Sequence, residues 1–155
     1  MGEWVKTIGN WGKTQKDDIR KVRKSFVFFL YSAIVKRTPV DTGRARSNWL
    51  ISRGKVNASV TDKKNNRYNL GNVPDADGDE DYFISNNLPY IGTLEYGGYP
   101  DPVKKGTYDR KRKQWVKKSD KGFSKQAPHG MLGVTVAEAD RIYEMAVKSV
   151  KGKGK

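Results

Sequence analysis

The sequence contains no cysteine, a single histidine and only 6 prolines among 155 residues. Without cysteine, the chain forms neither disulfides nor thiolate metal sites. Its longest run of apolar side chains, residues 26–30, is far shorter than the ~20 residues that a transmembrane helix requires. The first residues lack the apolar core of a signal peptide. We therefore expect an unexported protein with no membrane partner.

Apolar side chains are also scarce, at 35% of the residues. A chain of this length most simply forms one domain with a modest core, and we expect partners to order part of it. The formal net charge is +14, from 31 lysines and arginines against 17 aspartates and glutamates. Such an excess opposes compaction and attracts polyanions or acidic protein surfaces. The alternative is that the lysines serve only solubility.

Hydrophobic periodicity predicts two helices. The first begins near Thr14 as N-cap and ends before Pro39, which disfavours helical geometry at the preceding residue. The second begins at a capping box formed by Thr135 and Glu138. Apolar residues recur at helical spacing in both segments: Ile19, Val22, Phe26, Phe29, Leu30, Ala33 and Ile34 in the first, and Ala139, Ile142, Tyr143, Ala146, Val147 and Val150 in the second.

Between the helices, the pattern predicts short strands and long polar loops. Residues 48–52 and 56–61 are predicted to form a hairpin around a turn at 53–55, since Val56, Ala58 and Val60 alternate with polar residues. Further strands are expected at 82–85 and 114–116, and polar loops at about 62–80 and 99–126. The predicted fold is α+β, with a long N-terminal helix and a C-terminal helix packed on a small, mostly antiparallel sheet.

Three units follow from this organisation. Residues 1–13, with Trp4 and Trp11 among glycines, are expected to be a flexible, irregular arm. Residues 14–151 form the single α+β domain, and residues 152–155 form a disordered tail. Two large tryptophans on such an arm are expected to be buried, either against the chain's own core or against an adjacent subunit.

Four separated segments carry the main functional signal. Residues 37–49 contain Pro-Val-Asp-Thr-Gly followed by arginines, residues 87–91 and 94–98 contain Tyr and Glu-Tyr-Gly, and residues 127–132 contain Pro-His-Gly. In this order and spacing they resemble the tail-completion or neck proteins of long-tailed double-stranded-DNA bacteriophages. The matching positions are Pro39, Asp41, Thr42, Gly43, Arg46, Tyr90, Glu95, Tyr96, Gly97 and Pro128.

The resemblance implies a structural virion protein at the head–tail junction or tail end, assembled in the host cytoplasm. It implies a homo-oligomeric ring, of six copies, which completes the tail and joins it to the head. The implied partners are the tail-tube or tail-terminator protein, the head-completion or connector protein, and double-stranded DNA in the lumen. A tail terminator that caps the tail tube is the alternative within this biology.

Independently of the resemblance, the Asp-Thr-Gly segment has a physical interpretation. Aspartate and threonine side chains bond backbone amides in turns, and Gly43 permits positive φ. We therefore predict a chain reversal between the first helix and the first strand. Large aromatic and arginine side chains dominate interfaces when buried. The candidate interface residues are Trp4, Trp11, Tyr96, Tyr99, Arg110, Arg112 and Trp115.

The basic region at 104–125 combines cations with aromatic residues, as nucleic-acid grooves do. The candidate DNA-facing residues are Lys104, Lys105, Arg110, Lys111, Arg112, Lys113, Lys117 and Lys118. The same region can instead clasp the acidic rim of a neighbouring ring. We favour protein docking slightly, because DNA must slide through a lumen. A basic nucleic-acid-binding protein acting outside the virion is the alternative of another class.

No catalytic or metal-binding constellation emerges from the sequence, and we expect neither enzymatic activity nor a cofactor. The acidic run at 75–81 departs from the EF-hand pattern, because its glycine and its twelfth residue do not match. We interpret it as an acidic surface loop that faces a neighbour's basic region, with a calcium site as the alternative. The lone histidine, His129, is expected to lie in a turn. A magnesium-dependent nuclease is the weakest alternative.

Overall fold

The computed structural model describes residues 3–62, 73–75, 80–98, 107–109, 113–116, 119–120 and 122–152. For residues 3–5, 107–109, 114–116 and 119–120 it describes the backbone alone. These ranges form an α+β fold, as the sequence predicts. Its main parts are a long N-terminal helix, two C-terminal helices and a small antiparallel sheet.

Helix α1 spans Glu3–Arg37, 35 residues in all, and is therefore about 52 Å long. The predicted end is confirmed, but the predicted start near Thr14 is wrong. Residues 3–13 continue the helix, so the irregular conformation expected for the arm is also wrong for them. Gly9 and Gly12 lower helix propensity by ~1 kcal/mol each relative to alanine, yet neither interrupts α1.

Helices α4 (Leu132–Ala137) and α5 (Ala139–Lys151) follow one another at the C-terminal end of the chain. The predicted capping box is wrong, because Thr135 lies inside α4 and its hydroxyl donates to the Met131 carbonyl, 2.7 Å away. Helix α5 runs antiparallel to α1. Its start contacts the end of α1 through Glu138 and Arg37, while Tyr143 packs edge-on against Phe26, further back along α1.

The main sheet pairs β1 (Leu50–Arg53) with β2 (Tyr82–Ser85) in antiparallel register, with Ile51 opposite Ile84. The strand at 82–85 was predicted, but the predicted hairpin is wrong, since residues 54–61 form no strand. Amide side chains hold that segment instead. Asn48 bonds both backbone groups of Thr61, and Asn87 donates to the Asn57 carbonyl.

Two shorter antiparallel pairs and two short helices complete the described structure. Strand β3 (Thr107–Asp109) pairs with β4 (Gln114–Val116), which confirms the predicted strand at 114–116. Strand β5 (Ser119–Asp120) pairs with β6 (Phe123–Ser124). Helix α2 (Arg44–Ser47) precedes β1, and helix α3 (Ile91–Tyr96) follows β2.

The hydrophobic core lies between the C-terminal half of α1 and the segments that follow it. Burial of apolar side chains contributes ~25 cal/mol per Å² removed from water, so this cluster fixes the relative positions of the elements. Ile51, Ile84, Ile91 and Leu132 pack around it. Its buried members are Tyr31, Ile34, Val35, Ala45, Trp49, Leu88, Leu94, Ala127 and Met131.

Candidate interaction site

The segments named in the sequence motif meet around the end of α1. The Thr38 hydroxyl donates to the Ile34 carbonyl and accepts a 2.8 Å hydrogen bond from the Trp49 indole. The Tyr31 hydroxyl donates to the Trp49 carbonyl at 3.1 Å. Burial raises the pKa of Tyr31, so this phenol stays protonated and able to donate at neutral pH. The first motif segment is thereby anchored on α1.

Arg46 closes the C-terminal end of α1. Its Nε donates to the Thr38 carbonyl at 2.9 Å, and its Nη2 donates to the Lys36 carbonyl at 3.0 Å. Helix C-termini carry unpaired carbonyls and a partial negative charge. A guanidinium three residues beyond the Asp-Thr-Gly turn satisfies both, so the motif arginine has a structural role.

We expect Arg46→Met to lower the free energy of unfolding by about 1–2 kcal/mol, because the carbonyls of Lys36 and Thr38 at the end of α1 lose a charged donor while the aliphatic stem is kept. Urea denaturation measures the change. The matched control is Arg141→Met on α5, where the side chain is 77% exposed, and it should change stability by less than about 0.5 kcal/mol. Equal midpoints for the two variants would contradict the capping role.

The turn before α2 has the geometry that the Asp-Thr-Gly interpretation requires. Gly43 is buried and adopts a φ of 84°, in the left-handed region that favours glycine. The Thr42 hydroxyl accepts a long 3.4 Å hydrogen bond from the Arg44 amide. Beside this turn, the Gln126 side-chain amide bonds both the N–H and the carbonyl of Val40, at 2.8 and 3.0 Å. The motif turn is thus tied to the segment that precedes α4.

Glu95 caps the N-terminal end of α4. Its Oε2 accepts hydrogen bonds from the amides of Met131 and Leu132, at 2.7 and 2.8 Å, and its Oε1 accepts one from the Gly133 amide at 2.8 Å. Glu95 as a whole is only 8% exposed. A buried negative charge at a helix N-terminus meets the unpaired amides and the positive end of the helix dipole.

Gly130 permits the close approach that this cap needs. Its φ is 76°, and a Cβ at this position would lie 2.4 Å from the Glu95 carbonyl oxygen. Gly97, after α3, is also in the left-handed region, with φ 80°, and lies against Gly122 and the Phe123 ring. Gly130 therefore packs the end of α3 against the turn before α4, and Gly97 packs it against β6.

Arg37 joins α1 to the two C-terminal helices. Its Nη1 donates to the Thr135 hydroxyl at 2.8 Å, and its Nη2 contacts the Glu138 carboxylate at 2.7 Å. Thr135 is fully buried, and the Glu138 side chain is 38% exposed.

The sequence reasoning missed Arg37, Asn48 and Gln126. A polar residue inside or next to each motif segment was the only signal. It does not identify the partners, which lie 101, 13 and 86 residues away along the chain.

The remaining motif residues lie at or near the surface around this junction. Tyr96 is 80% exposed and Tyr90 is 36% exposed. Pro128 and His129 are exposed in the turn before α4, which agrees with the expected position of the histidine. Pro39 is half-buried and Asp41 is exposed. Of the motif residues, Tyr96 has the most exposed large side chain.

Most of the predicted basic and interface residues fall outside the described ranges. These are Tyr99, Lys104, Lys105, Arg110, Lys111, Arg112, Lys117 and Lys118. Lys113 is exposed with a φ of 50°, and Trp115 lies in β4 opposite Tyr108. Trp4 lies in the first turn of α1, and Trp11 is 66% exposed. The alternative that Trp11 packs on the chain's own core is therefore wrong.

The ends of the acidic run are held by basic residues of the same chain. Asp75 pairs with Lys24 of α1, and Glu80 contacts the Arg53 guanidinium at 2.6 Å. The hydrogen bond and charge of Lys24 hold the pKa of Asp75 below its usual value. Its stabilising contribution is therefore present at neutral pH and is lost as the pH falls through that lowered pKa.

Asp75 and Glu80 thus bind α1 and β1 of their own chain, with side chains 78% and 55% exposed. That the acidic run faces a neighbour's basic region stays a prediction. Residues 76–79 lie outside the described ranges. Within the described part of the chain, no group of three or more acidic, histidine or cysteine side chains is arranged to hold a metal ion.

Comparison with protein-family models, with curated proteins and with solved structures finds no match to this chain. Function is therefore inferred from the residues and their geometry. Among the described residues, no helix combines the length and apolar character needed to cross a membrane.

Proposed function

We propose that the protein is a structural component of a long-tailed phage virion, located at the head–tail junction or tail end. It forms a ring of copies that completes the tail and mediates joining to the head. The observation that carries the proposal is the convergence of the motif segments. Residues 37–49, 94–98 and 127–132 are far apart in sequence and share one packed junction through Trp49, Glu95 and Met131.

The chemistry at this junction supports a structural role for the motif. Arg46 and Glu95 are both engaged in closing helix ends. The buried Glu95 carboxylate accepts hydrogen bonds from three backbone amides. Removing it would leave the N–H groups at the start of α4 without hydrogen-bond partners. The motif residues thus stabilise the fold of each protomer, and a rigid protomer is what ring assembly requires.

The outer surface supports assembly with other chains. Trp11 and Tyr96 expose large apolar area around and beyond the junction, and aromatic residues of this kind dominate buried interfaces. The net charge of +14 favours acidic surfaces or DNA as neighbours. We propose that the basic residues of 104–118 and the aromatic residues bridge adjacent copies, the tail tube and the connector, and that they line the DNA passage.

The first test is mass spectrometry of density-purified particles and separated tails. We expect the protein in both the particles and their tail or neck fraction, at a few to a dozen copies per particle, as a ring requires. Imaging then places it at the neck or at the tube end, which separates a joining protein from a tail terminator. Absence from particles that contain their other tail proteins would overturn the proposal.

The second candidate function, a nucleic-acid-binding protein outside the virion, is favoured by the same +14 charge. It predicts affinity for free duplex DNA that falls steeply with salt, since each phosphate contact releases counterions. Fluorescence anisotropy with a labelled duplex between ~50 and ~200 mM salt measures this. We expect weak binding from the virion protein and no magnesium-dependent cleavage. Tight, salt-sensitive binding together with absence from particles would favour the alternative.

A further inference from the structure

The N-terminal half of α1 projects beyond the rest of the described structure. Helix α5 runs antiparallel to α1, and Tyr143 lies beside Phe26. Because both helices rise equally per residue, the end of α5 at Lys151 falls about level with residue 18. Side chains 6–11 and 13–16 are all exposed. We call residues 3–19 the α1 arm.

The α1 arm carries an apolar stripe on one face. Ile8, Trp11 and Ile19 are 56%, 66% and 67% exposed, and they recur at helical spacing with Gln15 between them. Further along α1, the same face, followed in steps of three and four residues, includes Val22, Phe26 and Arg37. Phe26 and Arg37 are residues that α5 and its N-cap contact. The stripe is therefore the uncovered continuation of the surface that α5 packs against.

Continuity with the α1–α5 contact indicates that the occupant of the stripe is another helix. Two glycines make the α1 arm a weak helix on its own, since each costs ~1 kcal/mol and isolated short helices are marginal in water. A partner helix supplies the missing burial. It would meet an apolar stripe that runs about 16 Å, from Ile8 to Ile19.

The charge on the α1 arm selects a second copy of this chain over an acidic partner. Its basic residues Lys6, Lys13 and Lys16 are balanced by Glu3, Asp17 and Asp18. The +14 excess of the chain therefore lies outside the α1 arm. Two arms can pair without bringing that excess together, and the arm offers an acidic partner no net attraction.

We propose that the α1 arms of two copies pair antiparallel about a twofold axis near residues 11 and 12. In this register Trp11 of one copy packs over Gly12 of the other, and the backbone at residue 4 lies level with Ile19. Gly12 has open space where a Cβ would lie, so it can receive the indole of Trp11. Such alternation of large and small residues lets antiparallel helices pack closely.

The expected interface is small. We estimate that the paired arms bury about 1,000 Å² in total, at the lower limit for specific association. A dissociation constant in the micromolar range follows, because ordering costs offset much of this area. The inference goes beyond the proposed virion function and does not depend on it. A twofold contact uses the same surface of both copies, so this pairing links copies of the free chain or of two facing rings, and the successive copies of one ring meet through other surfaces.

Sedimentation equilibrium of the full chain between ~5 and ~500 μM tests the pairing, since this range brackets weak dimers. We expect reversible dimers from the wild-type protein and a shift to monomer, by at least tenfold in dissociation constant, for Trp11→Glu. Lys13→Glu is the control, because Lys13 lies on the opposite face of the same turn. Circular dichroism confirms that each variant is folded. A monomeric wild type, or dimers unaffected by Trp11→Glu, would overturn the proposal.

The absence of cysteine allows the register to be tested with single-cysteine variants. Gly12→Cys places two thiols near the twofold axis, and mild oxidation should crosslink it to itself. Ile19→Cys places them about 22 Å apart, beyond disulfide reach, and should crosslink at least tenfold more slowly. Equal crosslinking at both positions would indicate parallel arms. Higher oligomers without crosslinking at residue 12 would indicate a head-to-tail contact, and either result rejects the antiparallel pair.

Discussion

Replacing Glu95 by alanine is expected to lower the free energy of unfolding by about 4 kcal/mol. The carboxylate accepts hydrogen bonds from the amides of Met131, Leu132 and Gly133. Each buried donor left unsatisfied costs ~1–3 kcal/mol, and the loss of negative charge at the α4 N-terminus adds to this. Water reaching the vacated site limits the total, because Leu132 is only half-buried.

Glu95→Gln removes the negative charge of the side chain and keeps its size. The amide keeps one acceptor oxygen but turns its NH₂ group toward a backbone donor, so we expect a loss of about 2 kcal/mol. Denaturation gives the stability change, and hydrogen exchange at the amides of residues 131–133 should accelerate in both variants. Glu144→Ala on α5 removes the same charge from a side chain that is 70% exposed and should have little effect. Unchanged exchange at those amides would refute the capping role.

The helical part of the fold could be predicted because it depends on local periodicity. Apolar residues repeat at helical spacing through α1 and α5, and Pro39 ends the first helix as expected. The start of α1 differs from the prediction because Gly9 and Gly12, which indicate an irregular arm, lie within the helix. Glycine lowers helix propensity but does not forbid helical geometry, and the apolar spacing at residues 8, 11 and 19 carried the better signal.

The pattern of residues 56–61 predicts a strand that the structure does not contain, and nothing in that pattern excludes one. Val56, Ala58 and Val60 alternate as strand residues do, but β2, not this segment, pairs with β1. Asn48 and Asn87 then bind the backbone of 57–61. Amide side chains mimic backbone hydrogen-bonding groups, and no local rule indicates which segment a distant asparagine will reach.

The candidate site was predictable only as a set of segments. The turn at Gly43 follows from local chemistry, whereas the role of Glu95 requires a partner 36–38 residues away. Thr135 and Glu138 match a capping box, yet the α4 amides are satisfied by Glu95 from another helix. Local capping signals compete with tertiary ones, and a buried carboxylate from α3 supplies three bonds where a threonine hydroxyl supplies one.

Replacing Gly130 by alanine is expected to destabilise the protein by at least about 3 kcal/mol. An alanine in the left-handed region costs ~1–2 kcal/mol, and φ at Gly130 is 76°. In addition, its Cβ would lie 2.4 Å from the Glu95 carbonyl oxygen and 3.0 Å from the Glu95 carboxyl carbon. Because a backbone oxygen is the nearest atom, α3 and the turn before α4 must separate, which weakens the Glu95 cap as well.

Gly133→Ala is the matched control, three residues further along. Its Cβ would lie 3.5 Å from the Glu95 Oε1, an ordinary van der Waals contact, and Gly133 lies inside α4. Alanine at a helical position gains ~0.5–1 kcal/mol over glycine, so the two substitutions should shift the unfolding midpoint in opposite directions. Equal shifts would contradict the steric role of Gly130. A lower midpoint for Gly130→Ala only, with faster exchange at the residue 131–133 amides, would show that the close contact between α3 and the α4 N-terminus holds the motif junction together.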